Sequence, residues 1–150
     1  MLFLDCEFNG FGGRLISMAI VASNGDEFYE VITWEKYSNT IPWVAENVLP
    51  KLNKLSIRED EFQNRLWNFL LKHPNEAIIA DSPADFKYLL ERCEFMTNES
   101  PSKYRYINLE IKMHFVISDK YESEVPHNAL SDARALKKWY MGSRRPPGET

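Results

Sequence analysis

Acidic residues and one histidine lie in three short stretches of the sequence whose spacing could support chemistry. The pairs are Asp5 and Glu7, Asp81 and Asp85, and His127 and Asp132. Hard cations such as Mg²⁺ and Mn²⁺ bind carboxylate oxygens, and a histidine at such a site is suited to general-base catalysis. If the fold brings the three stretches together, they could hold divalent cations and activate a water molecule.

The first pair lies inside an apolar run, MLFLDCEFNG. Alternate residues of a strand point to the same face, so Asp5 and Glu7 would carry their charges side by side. An edge strand with solvated acids is one interpretation of this pattern. The apolar neighbours of the pair favour a buried strand instead, in which two like charges require either raised pKa values or a cation.

The second pair flanks the start of a predicted helix, SPADFKYLLERC. Pro83 suits the first helical position, which makes Ser82 the capping residue and places Asp85 three residues later, as in a capping box. Asp85 would then have a structural role, and Asp81, at the end of the preceding strand, would face a cleft. Residue types and spacing leave both interpretations open.

The third pair brackets the start of the last predicted helix. On one continuous helix His127 and Asp132 would lie roughly 140° apart and would not converge. Pro126 and the capping residue Asn128 instead start the helix just after His127. The histidine then lies in the preceding loop and Asp132 in the first turns, so both side chains can face one site.

The elements that must position these residues alternate strands and helices. Strands are predicted at 2–8, 14–23, 26–33, 77–81 and 104–109, and helices at 42–48, 56–73, 82–93, 109–116 and 129–141, with a loop at 118–126. Asn24-Gly25 predicts a tight hairpin between the second and third strands. Ser56 and Glu59 have capping-box spacing at the start of the 56–73 helix, whose apolar face is formed by Phe62, Leu66, Phe69 and Leu70.

This order of elements predicts an α/β fold, in which a three-stranded antiparallel meander and further strands form a mixed sheet with helices on both faces. A length of 150 residues suits one domain, which we assign to 1–142, with 143–150 as a disordered tail. Neither a signal peptide nor a membrane span is evident, which predicts a cytoplasmic protein. Cys6 and Cys93 fit neither a disulfide framework nor a zinc site.

Charge does not decide the class of partner. The chain has 18 Lys and Arg against 22 Asp and Glu, and a formal net charge of −4, which by itself disfavours nucleic acid. If four of the acids hold two divalent cations, however, the remaining charges balance. Nucleic-acid binding is therefore compatible with the composition.

Taken together, the three stretches resemble the DEDD exonucleases with a catalytic histidine, a branch of the ribonuclease H-like superfamily. The resemblance rests on D-x-E in the first strand, an aspartate opening a helix after a mid-chain strand, and HNALSDARAL near the C-terminus. LISMAIVASNGDEFYEVI and WVAENVLPKL are similar to the small stand-alone bacterial and phage 3′ to 5′ exoribonucleases. This resemblance spans nearly the whole chain.

The resemblance implies metal ligands at Asp5, Glu7, Asp85 and Asp132, which would bind two Mg²⁺ or Mn²⁺, and a general base at His127. Asp85 is chosen over Asp81 because DFKYLL matches the family pattern of an aspartate followed by an apolar helix face. The implied activity is release of 5′-mononucleotides from single-stranded or 3′-overhanging nucleic acid, with RNA carrying a free 3′ end as the partner. Membrane partners are not expected, and relatives of this type allow a homodimer.

Substrate contacts are the least specific part of this prediction. The candidate residues are Phe8, Asn9, Arg14, Phe86 and Arg134, with Lys87 and Lys137 as further phosphate partners. The rings of Phe8, Phe11 and Phe86 are each expected to belong to the core rather than to stack on bases. Two alternatives stay open: a DNA 3′ to 5′ exonuclease with the same site, and an inactive module that binds nucleic acid or protein.

Overall fold

A computed structural model of the protein describes residues 1–33, 39–94, 112–117 and 121–143. These residues form an α/β fold with one mixed sheet of six strands and four α-helices. The strands are β1 (Leu2–Phe8), β2 (Leu15–Ala22), β3 (Glu27–Ile32), β4 (Ser56–Ile57), β5 (Ala77–Ala80) and β6 (Lys112–Phe115). The helices are α1 (Pro42–Asn47), α2 (Glu59–Lys72), α3 (Pro83–Glu94) and α4 (Ala129–Ser143), and a 3₁₀ turn at Leu49–Lys51 follows α1.

The sheet has the strand order β4-β3-β2-β1-β5-β6. β1, β2 and β3 form the predicted antiparallel meander, and β5 and β6 extend it by parallel pairing on the other side of β1. In the β2–β3 turn Gly25 has a φ of 103°, a conformation that suits glycine. The predicted mixed α/β sheet is confirmed, and β1 lies near its centre.

Helices cover both faces of this sheet. On one face, Leu2 and Leu4 of β1 pack into a core that includes Phe62, Leu66 and Leu89 of α2 and α3. On the other face, Phe3 and Ile79 pack against Leu136 and Tyr140 of α4. Because successive residues of β1 point to opposite faces, Asp5 and Glu7 lie on the same face as Phe3, the face that α4 covers.

Two predicted details of the helices are wrong. α2 begins at Glu59 after Arg58, which caps the helix without a side-chain hydrogen bond. Ser56 is not a cap, because it pairs with Val31 in the parallel β3–β4 ladder. The predicted helix at 109–116 is also wrong over Lys112–Phe115, which form β6. There, parallel pairing with β5 overrides local helix propensity.

Some predictions fall outside the described residues. These are the strand at 104–109, residues 109–111 of the predicted 109–116 helix, part of the 118–126 loop, and positions 144–150 of the predicted tail, whose first residue, Ser143, belongs to α4. Within the described residues, no helix combines the length and apolar character needed to cross a membrane.

The apolar face of α2 gives a direct test of the fold. Leu66 is fully buried, whereas Leu71 on the same helix is 37% exposed. Leu66→Ala is expected to lower the free energy of unfolding by about 2–5 kcal/mol, because it leaves a cavity between α2 and the sheet. Leu71→Ala is the matched control, expected to change stability much less. Urea denaturation of both variants measures the difference, and equal losses would contradict this packing.

Candidate metal centre and active site

β1 places two carboxylates on the α4 face of the sheet. Asp5 pairs with Ala19 and Glu7 with Ser17 on the neighbouring strand β2. These partners have small side chains, so they leave space beside the carboxylates. The strand register shifts between Glu7 and Phe8, directly after the second acid, and such irregularities often end regular pairing next to functional sites.

The start of α4 delivers the third carboxylate. Asn128 caps the helix as predicted, because its Oδ1 accepts a hydrogen bond from the Ser131 amide at 3.1 Å. Asp132 follows in the first turn, and its Oδ2 accepts a hydrogen bond from the backbone amide of His127 at 3.0 Å. The cap therefore brings the loop histidine and the helix aspartate together, although they would diverge on one continuous helix.

The start of α3 delivers the fourth carboxylate. The Ser82 hydroxyl accepts a hydrogen bond from the Ala84 amide at 3.3 Å, which confirms Ser82 as a capping residue. Asp85 lies in the first turn and is 1% exposed. The backbone amides of Cys6 and Ser82 act to lower the pKa of its carboxyl, although burial outweighs them. Asp85 therefore contacts the capping residue Ser82 at the start of α3 and also reaches Cys6 of β1.

The carboxylates form two groups that share one residue. Asp5, Glu7 and Asp132 each bring one oxygen within 4.8 Å of the others, and Asp5, Asp81 and Asp85 do the same. The structure therefore brings together all four predicted metal ligands, with Asp5 common to both groups. It adds Asp81, for which sequence reasoning left the role open.

Burial and mutual repulsion make this cluster costly to ionise. Burial, followed by the charge of Asp85, raises the pKa of Asp5 well above its usual range. Burial also raises the pKa of Glu7 to about 8, with Asp132 adding to the shift, and raises that of Asp85 to about 8, with Asp81 adding to it. At neutral pH the site must therefore take up protons or bind cations.

The donor set fits divalent cations. Oδ2 of Asp5 and Oδ2 of Asp85 are buried and have no hydrogen-bond partner within the part of the chain that the structure describes. Buried polar atoms normally have partners, so these oxygens are placed as ligand atoms would be. Carboxylate oxygens without sulfur ligands match Mg²⁺ or Mn²⁺ rather than zinc.

His127 is held at the edge of this cluster in a restricted conformation. Its φ is 66°, which is uncommon for a residue other than glycine and is often found at functional sites. Lys51 restrains the loop on both sides, since its Nζ donates to the Pro126 carbonyl at 2.9 Å and its own carbonyl accepts from Asn128 Nδ2 at 2.7 Å. The imidazole also packs edge-on against Trp43, with 4.9 Å between ring centroids.

Several predicted substrate contacts have other partners in the structure. Phe86 is buried in the core, and Phe8 packs there against Tyr88 with ring centroids 5.0 Å apart. Both polar ends of the Asn9 amide bind backbone, with Nδ2 donating to the Asn39 carbonyl and Oδ1 accepting from the Ile41 amide. Phe8 and Phe86 therefore contribute to the core, and Asn9 links the β1–β2 loop to the segment before α1.

The predicted cations are mostly engaged as well. Arg134 forms two hydrogen bonds with Glu27, at 2.7 and 2.6 Å. Lys137 donates to the Ala22 carbonyl, and Lys87 lies 3.6 Å from Glu91. Arg14 is exposed on the β1–β2 loop. Arg14 is therefore a predicted phosphate partner that lies exposed close to the end of β1.

Sequence reasoning missed two residues at this site, Trp43 and Tyr121, and it placed Phe11 wrongly. Phe11 was expected in the core but is 99% exposed on a loop where Gly10 and Gly12 have positive φ. Trp43 is 51% exposed next to His127. The Tyr121 hydroxyl donates at 2.6 Å to Oδ2 of Asp81, the acid whose role sequence reasoning left open. The glycines around Phe11 were the available sign of a protruding loop.

The raised carboxyl pKa values predict how stability depends on pH without metal. Glu7 and Asp85 have pKa values of about 8 in the fold, against about 4.3 and 3.9 in an unfolded chain. A carboxyl group with a raised pKa in the fold stabilises the folded protein fully only when the pH is below its pKa in the unfolded chain. This stabilisation is lost as the pH rises towards its pKa in the fold. The melting temperature in EDTA should therefore fall from pH 5 to pH 8, by about 2–4 °C for each kcal/mol lost.

Asp85→Asn should flatten this dependence, whereas the exposed Asp60→Asn should keep it. Differential scanning calorimetry across the pH range measures both. A melting temperature that is constant or rises between pH 5 and pH 8 would contradict the electrostatics described above.

Comparison with known proteins adds no assignment to this geometry. No protein-family model matches the chain, and a search of curated proteins finds no match either.

Proposed function

We propose that this chain is a divalent-cation-dependent 3′ to 5′ exonuclease that releases 5′-mononucleotides from single-stranded or 3′-overhanging RNA. The observation that carries the proposal is the sharing of Asp5 between two carboxylate groups, together with the buried Oδ2 atoms of Asp5 and Asp85, which lack hydrogen-bond partners among the described residues. Such an arrangement has ligands for two adjacent cations. The direction of cleavage and the RNA substrate come from the sequence resemblance to exoribonucleases.

The fold supports the same proposal. The sheet combines an antiparallel meander with strands that pair in parallel on the other side of β1, and helices cover both of its faces. This arrangement is compatible with a ribonuclease H-like architecture. In open α/β sheets, ligands bind beyond the carboxyl ends of the strands. Asp5 and Glu7 lie towards that end of β1, and Asp81 directly follows β5.

Asp5, Glu7, Asp85 and Asp132 would hold the cations. When bound, a pair of divalent cations stabilises the charge on the attacking and leaving oxygens of an in-line phosphodiester displacement. Through the cations that they would hold, the carboxylates would fix the position of the terminal phosphate, and their placement on β1, α3 and α4 would make that position rigid.

His127 acts as the general base in this proposal. The imidazole takes a proton from the attacking water as the new bond to phosphorus forms and the bond from phosphorus to the 3′ oxygen breaks. The departing 3′ oxygen takes a proton from solvent. The Asp132 carboxylate and the contacts of Lys51 hold the loop, and the Trp43 ring limits rotation of the imidazole.

Two exposed aromatic rings can receive the terminal bases. Phe11 projects from the β1–β2 loop and Trp43 from α1, and Asn9 joins these two segments through its hydrogen bond with the Ile41 amide. Base stacking on such rings contributes about 1–3 kcal/mol per base and tolerates any sequence. This surface favours single strands, because bases in a duplex are already stacked.

The activity is tested by product analysis on 5′-end-labelled oligonucleotides of matched RNA and DNA sequence, with Mn²⁺ or with EDTA. Stepwise shortening of the RNA from its 3′ end, dependent on Mn²⁺, is expected. Asp5→Asn should abolish it, because Asp5 serves both carboxylate groups, and Asp60→Asn is the matched control. Preferential shortening of DNA would instead identify a DNA exonuclease, and equal products with and without Mn²⁺ would reject the proposal.

The role of the histidine is tested separately. His127→Ala should slow cleavage by about 10²- to 10⁴-fold, the usual contribution of a positioned base, and should leave Mn²⁺ binding within about twofold of wild type. His114, exposed on β6, provides the matched control through His114→Ala. Single-turnover rates and Mn²⁺ titration measure the two effects. Full activity of His127→Ala would remove the imidazole from the mechanism.

A further inference from the structure

Strand pairing places Asp81 beside Asp5. In the parallel β1–β5 ladder Leu2 pairs with Ile78 and Phe3 with Ile79. Continuing this register by two positions sets Asp81 next to Asp5 and on the same face of the sheet, since adjacent residues of parallel strands share a face. The sequence resemblance assigns no role to Asp81.

The carboxylate of Asp81 lies in a group with two buried carboxylate oxygens, one on Asp5 and one on Asp85, that have no hydrogen-bond partner among the described residues. One oxygen each of Asp5, Asp81 and Asp85 lie within 4.8 Å of one another. Asp85 is 1% exposed, and its Oδ2 and that of Asp5 have no hydrogen-bond partner in the described ranges of the chain. A third acid beside two such oxygens adds repulsion unless a cation lies between them.

Tyr121 fixes the orientation of this third acid. Its hydroxyl donates to Asp81 Oδ2 at 2.6 Å, and its ring packs near Trp139 of α4, with centroids 6.4 Å apart. Tyr121 also lines the cleft that contains His127 and Asp132. The hydrogen bond sets the orientation of the Asp81 side chain at the edge of the group.

We propose that Asp81 is a fifth carboxylate ligand, oriented by Tyr121, for the cation that lies between Asp5, Asp81 and Asp85. This inference rests on the proposed function for the presence of a cation. Asp81 belongs to this group and not to the one formed by Asp5, Glu7 and Asp132, so loss of Asp81 weakens the first cation position more than the second. Tyr121 acts as a positioning residue.

A purely structural role for Asp81 predicts a different outcome. If Asp81 only anchors Tyr121, then Asp81→Asn retains an oxygen that accepts the tyrosine hydrogen bond, and cation binding stays unchanged. If Asp81 is a ligand, the same substitution removes one ligand charge. It also removes repulsion from the metal-free cluster, so the metal-free protein becomes more stable while Mn²⁺ stabilises it less.

The test is calorimetric titration of the metal-free full chain with Mn²⁺, together with melting temperatures in EDTA and in Mn²⁺. Wild type should bind two Mn²⁺. Asp81→Asn should weaken one of the two at least tenfold, keep the other within about twofold, and melt at or above the wild-type temperature in EDTA. Tyr121→Phe should weaken the same Mn²⁺ by a smaller factor, and Asp60→Asn should match wild type.

The outcomes separate the two proposals. If wild type binds no Mn²⁺, the proposed function and this inference both fail. If wild type and Asp81→Asn bind two Mn²⁺ alike, this inference alone fails. If Asp81→Asn does not fold in EDTA, the carboxylate is structural and the inference is overturned. If Tyr121→Phe binds Mn²⁺ like wild type, the positioning role of Tyr121 is overturned.

Discussion

The repulsion between carboxylates at the end of β1 is the constraint on which the rest of the site depends. Asp5 is surrounded by Glu7, Asp81, Asp85 and Asp132, each of which raises its pKa in addition to the effect of burial. Like charges in a region of low dielectric repel strongly, so hydrophobic packing elsewhere must keep these elements in place. The extensive cores on both faces of the sheet provide that rigidity.

The fold divides this task among separate elements. The central strand holds the shared acid, the starts of α3 and α4 each bring one carboxylate in their first turn, and capping residues fix where those helices begin. A helix N-terminus also favours negative charge, through its free amides and its dipole. Each acid is therefore held by local backbone structure, and the cluster as a whole by tertiary packing.

Local signals in the sequence predicted much of this arrangement. The apolar run around Asp5, the Asn24-Gly25 turn and the Asn128 cap each act within a few residues, and the structure agrees with all three. Pairing over long distances was not predictable in the same way. Ser56 entered a ladder with Val31 rather than capping a helix, and Lys112–Phe115 formed a strand because β5 offered a partner.

The connection between α1 and the histidine loop has a mechanical consequence. Lys51 ends the 3₁₀ turn that follows α1. It forms hydrogen bonds with the Pro126 carbonyl, just before His127, and with the Asn128 side chain, just after it. Trp43 lies near the start of the same helix and touches the imidazole directly. The tryptophan and the histidine are thus coupled by two routes, so a displacement of one ring is transmitted to the other. A molecule that packs against the Trp43 indole would therefore also restrict the orientation of the His127 imidazole.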